Sequence, residues 1–312
     1  MPKQSRIQLL LAKIESSYGT LPDPAPAGTD AVLVRNLEVT PLEATMLERE
    51  TVQPYLGSRP SLMIDRQIKL TFEIEVSGSG TAGTPPKYGP ILRACGLAQG
   101  IQSNTSVTYA PVSTGQESVS LAYFADGIRH YAVGCRGTFE LAGTASDFFL
   151  FRVEMTGIYV APTDTEVPAA TYTHQAQPIP FGAEATSTFA VHGFNACVQE
   201  FSLDVANDLV FRALAGCTKQ VLITDRKSAG SVMLEMPTLA TKNYFAEAVA
   251  RTQDDITFQF GATAGNILTV TVGQAQLGAP EYGDSDGVLM LTVPYMALPT
   301  SAGNNEFSLV FT

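Results

Sequence analysis

The 312-residue sequence contains no tryptophan, four cysteines and three histidines, and only 16% of its residues are charged. Basic side chains are scarcest, 19 against 30 acidic ones, for a net charge of -11. Tight binding to nucleic acid needs clustered Lys and Arg to neutralise phosphates, so that class is excluded. A surface past which DNA slides is not. Cys95, Cys135, Cys197 and Cys217 lack C-x-x-C spacing, and His130, His174 and His192 have no neighbour at metal-ligand spacing. No metal and no cofactor are therefore expected, and the four thiols read as small buried core residues. G-x-S-x-G and H-E-x-x-H are both missing, so an enzyme would lack a nucleophile–base or metal set. No apolar run is long enough to span a membrane. The patch Ile7–Ala12, interrupted by Gln8 and ended by Lys13, also falls short of a signal-peptide core.

What is present points to short β elements. Hydrophobic residues make up 45%, and 26 glycines with 19 prolines supply many turns. Ile7, Leu10, Leu11 and Ile14 fall on one face of a short N-terminal helix. "LVRNLEVTP" reads as a strand with Leu37 and Val39 inward. The stretch from about Leu42 to Leu62 has no clean periodicity and carries Glu48, Arg49 and Glu50, so it reads as a long loop that makes contacts. "KLTFEIEV" alternates Leu70, Phe72, Ile74 and Val76 with Lys69, Thr71, Glu73 and Glu75, the mark of an antiparallel strand with one wet face.

Gly78, Gly80 and Gly83 then form G-x-G-x-x-G, a dinucleotide-binding spacing. The context fails. A dinucleotide strand is apolar on both faces, Pro85 and Pro86 stand where the phosphate-binding helix would run, and Thr84 replaces the Walker lysine. The cluster reads as a flexible connection before the short helix "KYGPILRACG". Beyond it, "SVSLAYFADGIRHYAVG" is a hairpin turning at Asp126-Gly127. "FFLFRVEMTGIYV" places Phe149, Phe151, Val153 and Met155 on one face.

Residues 161–185 are polar, proline-rich and aperiodic, with 166–185 as the linker between units 1–165 and 186–312. The second unit replays the first in element order. Phe201, Leu203 and Val205 point inward, "SVMLEMP" is a strand, "KNYFAEAVARTQ" a short helix, and later strands end at "LMLTVPYMALP", which parallels "FRVEMTGIYVAP". A duplication follows. Asp284 and Asp286 before Gly287 read as a turn between strands, not a calcium loop. Outward strand positions carry Glu38, Glu73, Glu75, Glu154, Glu200, Asp204 and Glu235 against Lys69 and Arg152, which gives an acidic sheet face.

In their order, "LLAKIESSYGT", "LVRNLEVTPLEATMLERETVQPYLGSRP", "FEIEVSGSGTAGTPPKYGPILRACGLAQ", "FADGIRHYAVGCRGTFEL" and "FRVEMTGIYVAP" resemble the major tail tube proteins of long-tailed, non-contractile bacteriophages. The likeness is strongest over residues 6–162, and the second half matches as a diverged copy. It implies a mainly β fold with short helices, a duplicated β-sandwich or barrel domain whose strands join between subunits into an inner β-barrel. It implies a structural virion protein of the tail, assembled in the host cytoplasm. Stacked rings of six chains, or of three if the chain holds two copies, would pass DNA without binding it specifically. Tape measure, tail terminator and tip proteins would be its partners. Lys69, Thr71, Glu73 and Glu75 would line the lumen, and Glu48, Arg49 and Glu50 would reach the adjacent ring. A contractile injection machine's tube is a structural cousin. A β-sandwich binding module, such as a virion decoration or host-adhesion protein, is the alternative.

Overall fold

A computed structural model describes residues 3–312, the side chains of residues 186 and 187 excepted. Among the described residues the regular structure is almost wholly antiparallel β, with two short α-helices. Six strands frame the first half: β1 (Gln8–Ile14), β2 (Arg35–Glu48), β3 (Ser61–Glu75), β4 (Val119–Ala125), β5 (Ile128–Thr144) and β6 (Leu150–Tyr159). Six more frame the second: β7 (Thr186–Val191), β8 (Val198–Asp204), β9 (Ala229–Glu235), β10 (Gln253–Phe260), β11 (Leu268–Leu277) and β12 (Val288–Ala297).

Their pairing repeats. In the first half β1 pairs with β4, β4 with β5, β5 with β6, β6 with β3, and β3 with β2. In the second, β7 pairs with β10, β10 with β11, β11 with β12, β12 with β9, and β9 with β8. Helix α1 (Gly89–Ala94) lies between β3 and β4 in sequence, and α2 (Tyr244–Ala250) between β9 and β10. A proline in the first turn of α1 occupies a position with no intrahelical donor to lose, and the Asn243 side chain caps α2 by accepting from the Ala246 N–H at 3.0 Å. The hairpin β4–β5 turns through Asp126 and Gly127, both at positive φ (43° and 82°), as a type I′ turn requires.

The N-terminal segment is a strand, not the expected helix. Leu10 and Ala12 enter the main core, while Leu9 and Leu11 enter a second cluster with Ala122, Phe124 and Tyr131. A short continuous apolar run satisfies a helix stripe and a two-sided buried strand equally. Burial on both faces decides for the strand. Residues Val167 and Ala170, in the stretch expected as linker, complete that second cluster. The stretch runs as a strap over the first half: Thr171 N–H donates to Gly28 O at 2.9 Å, Ala176 N–H to Gly78 O at 2.9 Å, and Gln175 Oε1 accepts from Leu33 N–H at 2.8 Å.

The glycine cluster is not a flexible connection either. Gly78 N–H donates to Asn266 Oδ1 at 2.6 Å and Gly80 N–H to Gly265 O at 2.9 Å, which pins the first half to the β10–β11 turn. A Cβ on Gly78 would sit 2.0 Å from Gly265 O, so the two backbones approach closely only because no side chain intervenes. The halves are joined elsewhere too. The end of β5 pairs with β8, and the C-terminal strand Ser308–Phe311 pairs with both β11 and the first half's Ser106–Pro111. Phe149, against Phe181, Phe201, Phe258 and Phe260, makes one aromatic core across that junction.

The expected loop 42–62 is largely β-hairpin. β2 and β3 stay paired out to Glu48 opposite Ser61, leaving residues 49–60 as the tip. This arm projects beyond the core, so neither face has to be apolar and the alternation disappears. In the second half the corresponding hairpin, Asn207–Arg212 and Gln220–Arg226, lies on the first half. There Arg136 donates to Val221 O at 2.9 Å, and Asn207 Nδ2 donates to Cys95 O at 2.7 Å.

Candidate functional site: the open sheet face and its edges

One ribbon of strands crosses both halves in the order β2, β3, β6, β5, β8, β9, β12 and Glu281–Ser285. Because the side-chain period in a strand is two, one face of the ribbon takes Phe72, Ile74, Phe151, Val153, Leu141, Leu203, Val232 and Val293 into the core. The other face carries no covering layer except around Arg136, Thr138 and Thr156, where the 207–226 hairpin reaches it and Asn207 N–H donates to Thr138 Oγ1 at 3.1 Å. Lys69, Thr71, Glu73 and Glu75 all lie on it, with Thr71 exposed and the other three half-buried.

The register arranges charge in rows. One row runs Arg35, Glu73, Arg152, Glu140, Asp204 across five adjacent strands. Arg152 stands 3.9 Å from Glu73 and 3.0 Å from Glu140, and Arg35 is 3.4 Å from Glu75. Lys69 reaches Glu43 at 2.9 Å. Each cation of the face is thus already engaged. Glu38, Glu154, Glu200, Asp204, Glu235 and Glu281 make no ion pair among the described residues, so the uncompensated charge is negative. Where the halves meet, Glu140 faces Asp204. Partial burial first, and the Glu140 charge in addition, raise the Asp204 carboxyl above its usual range, against the lowering effect of the Ala206 N–H. Strand alternation in the sequence puts most of these acids outward; Glu140, inside an alternating run, and Glu281, in a segment that reads as a turn, are added by the structure.

A depression of about 270 Å³ straddles this junction, lined by Glu140, Thr144, Arg152, Glu200 and Ser202 among others. It is polar and holds neither a histidine nor a cysteine. The three histidines lie apart. His192 is buried, its Nδ1 3.0 Å from Glu247 Oε2 and its Nε2 2.9 Å from Ala275 O, which locks α2 against β11. His130 stacks on Tyr123, and burial lowers its pKa. Among the described residues no three His, Cys, Asp or Glu side chains gather as a metal set. Cys95 and Cys135 are buried as expected, and burial pushes both thiols up. Cys197 and Cys217 are exposed, contrary to expectation, because both lie in short connections outside the inward positions of β8 and the second hairpin. Glu15, also buried, accepts from Ser118, Ser120 and the Gly134 N–H at 2.6–2.7 Å and serves the fold.

The ribbon ends in two free edges. Among the described residues β2 pairs only with β3, and Glu281–Ser285 only with β12. Apolar side chains stand at both: Leu37 and Val39 are half-buried, Tyr282 is 64% exposed and Leu289 53% exposed. The arm adds Met46, Leu47, Val52, Tyr55, Leu56, Leu62, Met63 and Ile64, all exposed. Glu48, Arg49 and Glu50 sit where the arm's strands give way to its tip. Open edges and uncovered apolar surface of this kind are what a protein hides by association.

A family model described as phage tail tube protein matches residues 5–297. No curated protein matches the chain. The family match takes in both halves and the strap between them, and the chain belongs to the phage tail tube protein family.

Proposed function

We propose that this structural protein of the virion tail polymerises through its two ribbon edges into stacked rings that form a DNA conduit. The observation that carries the reading is the ribbon itself: strands from both halves, an acidic uncovered face, and an unpaired edge at each end. Joining the free edges of successive chains removes those edges and closes the ribbon into a barrel.

The chain reads as two tail-tube units, 1–165 and 186–312, so three chains supply the six repeats of a pseudo-sixfold ring. Roughly two dozen strands, spaced about 4.8 Å and tilted about 40°, give a barrel about 48 Å across between backbones. The uncovered face, with Lys69, Thr71, Glu73 and Glu75, turns to the lumen. At physiological salt a wall charge acts over only about 8 Å, so the acids repel phosphate when the duplex drifts to the wall and leave it alone on the axis. DNA passes without local binding minima. The arm, with Glu48, Arg49 and Glu50 at the base of its tip and its exposed Val52, Tyr55 and Leu56, bridges to the adjacent ring. Tape measure, terminator and tip proteins are the partners at the lumen and the ends. Negative-stain imaging of the purified protein tests the reading: tubes or rings of three chains support it, a monodisperse monomer or six chains per ring overturn it in whole or in its stoichiometry.

A further inference from the structure

The seam inside the chain carries more than the presence of a ring contact. β5 and β8 join the halves with Glu140 opposite Asp204, Leu141 opposite Leu203, Ala142 opposite Ser202, Gly143 opposite Phe201 and Thr144 opposite Glu200. Because the two halves repeat one ladder, each free edge has an internal counterpart that is already paired.

The counterparts are fixed by hydrogen bonds, not by sequence similarity. Val76 N–H donates to Phe149 O at 2.8 Å, and Met236 N–H to Leu289 O at 3.1 Å, closing the same ladder in each half. Phe149 therefore corresponds to Leu289 and Phe151 to Leu291. Leu141 faces Phe151 across β5–β6, and Tyr282 faces Leu291 across the last pair, so Tyr282 takes the place of Leu141. At the other edge both halves shift register by one residue near the start of the edge strand, between Arg35 and Glu38 in the first and, a residue or two earlier in the ladder, between Val198 and Glu200 in the second; Thr71 corresponds to Ser231 in the ladder just described. Beyond the shift Glu38 faces Thr71 and Ser202 faces Ser231, so Leu37 corresponds to Phe201 and Val39 to Leu203.

We infer that the contact between chains copies the internal seam in this register: Glu281 opposite Thr40 of the next copy, Tyr282 opposite Val39, Gly283 opposite Glu38, Asp284 opposite Leu37 and Ser285 opposite Asn36. The inference rests on the tube reading and names its interface.

Three independent observations agree with it. Burial differs in the direction a missing neighbour requires: Leu141 and Leu203 are 0% exposed and Phe149 1%, whereas Tyr282 is 64% and Leu289 53% exposed and Val39 is half-buried. The same register sets Pro280 against Pro41, at the positions of Phe139 and Val205, whose internal bond from Val205 N–H to Phe139 O is 3.0 Å. Proline has no N–H, so two prolines facing each other end the ladder without stranding a donor. Finally, Glu281, Gly283 and Ser285 fall on the same face as Asn36, Glu38 and Thr40, so the acidic surface runs on unbroken. The contact is head-to-tail and generates a ring where its rotation closes.

The test is a register-specific disulfide in a Cys197→Ser, Cys217→Ser background. Gly283 and Glu38 form a non-hydrogen-bonded pair in this register, with Cα atoms about 4.5 Å apart, within disulfide reach. Glu38→Cys with Gly283→Cys therefore links chains on mild oxidation, whereas Glu38→Cys with Glu281→Cys, about 7–8 Å apart, does not. A link in the second pair, or in neither while tubes form, overturns the register and leaves the tube reading standing. Hydrogen exchange on the unsubstituted protein removes dependence on the variants. On assembly the amides of Leu37, Val39, Tyr282 and Asp284 slow by roughly a hundredfold. Their exchange at the free-chain rate within formed tubes overturns the seam, and a chain that forms no tubes or rings overturns both readings.

Discussion

Reversing charge on the open face separates a conduit wall from an ordinary wet surface. Glu73 and Glu75, the first choice from sequence, are poor targets, because Arg152 and Arg35 stand beside them and two new lysines would repel both. Glu154 and Glu200 are exposed, share the open face and make no ion pair among the described residues, so Glu154→Lys with Glu200→Lys leaves folding within about 0.5 kcal/mol. In a ring of three chains the pair places six cations around the duplex. A duplex drawn to the wall gathers its contacts from successive rings, and six phosphate contacts give a log–log salt slope of roughly -5, which is about a thousandfold in attachment strength between 50 and 200 mM salt. The expected result is intact tails whose DNA ejection stalls at 50 mM salt and recovers at 200 mM, with Glu154→Gln and Glu200→Gln ejecting normally at both. Ejection that is fast at both salts in particles with normal tails refutes the placement of this face in the lumen.

Gly78→Ala drives a Cβ into Gly265 O and breaks two hydrogen bonds between the halves, from Gly78 N–H to Asn266 Oδ1 and from Gly80 N–H to Gly265 O, costing roughly 3 kcal/mol in urea unfolding. Gly80→Ala, at φ +83° with open space around it, costs only about 1–2 kcal/mol, and equal losses would dismiss the close-approach argument. Serine at Val52, Tyr55 and Leu56 changes the melting temperature by under about 2 °C but shortens the tubes seen by negative stain, since Val52 and Leu56 are fully exposed and Tyr55 mostly so. Asp204 has a raised pKa, so its ionisation weakens the fold: stability attributable to it is full below the unfolded carboxylate value near 3.9 and is lost as pH rises through the folded value. Asp204→Asn therefore stabilises the protein at pH 7 and not at pH 3, as urea titrations at the two pH values would reveal.

Where a residue pattern has a single physical solution, the sequence was sufficient. The 68–76 alternation admits only a one-sided strand, and Asp126-Gly127 only a tight hairpin turn, and both are found. The acidic positions follow from those strands. Where two solutions share a pattern, tertiary context decided. Leu9–Ala12 fit a helix or a doubly buried strand, and only the strap carrying Val167 and Ala170 selects the latter. The glycine cluster signalled conformational freedom, but its use as a close approach depends on a turn nearly two hundred residues away. The arm's strands were illegible because their partner is their own hairpin mate and their faces are bare. The register that relates Tyr282 to Leu141 is invisible without the ladders.

The β5–β8 junction lies within one polypeptide, whereas its counterpart at Tyr282 and Val39 would form between molecules. Dilution cannot dissolve the first, so it belongs to folding, and lesions at Leu203 or Phe201 register as lost stability at any protein concentration. The second would set the critical concentration for polymerisation, and lesions at Tyr282 would shift that threshold while leaving the monomer sound. In such a ring, tethering the repeats in pairs would halve the number of encounters that complete it, and it would free the two arms to diverge, one tucked against its own chain and one held out.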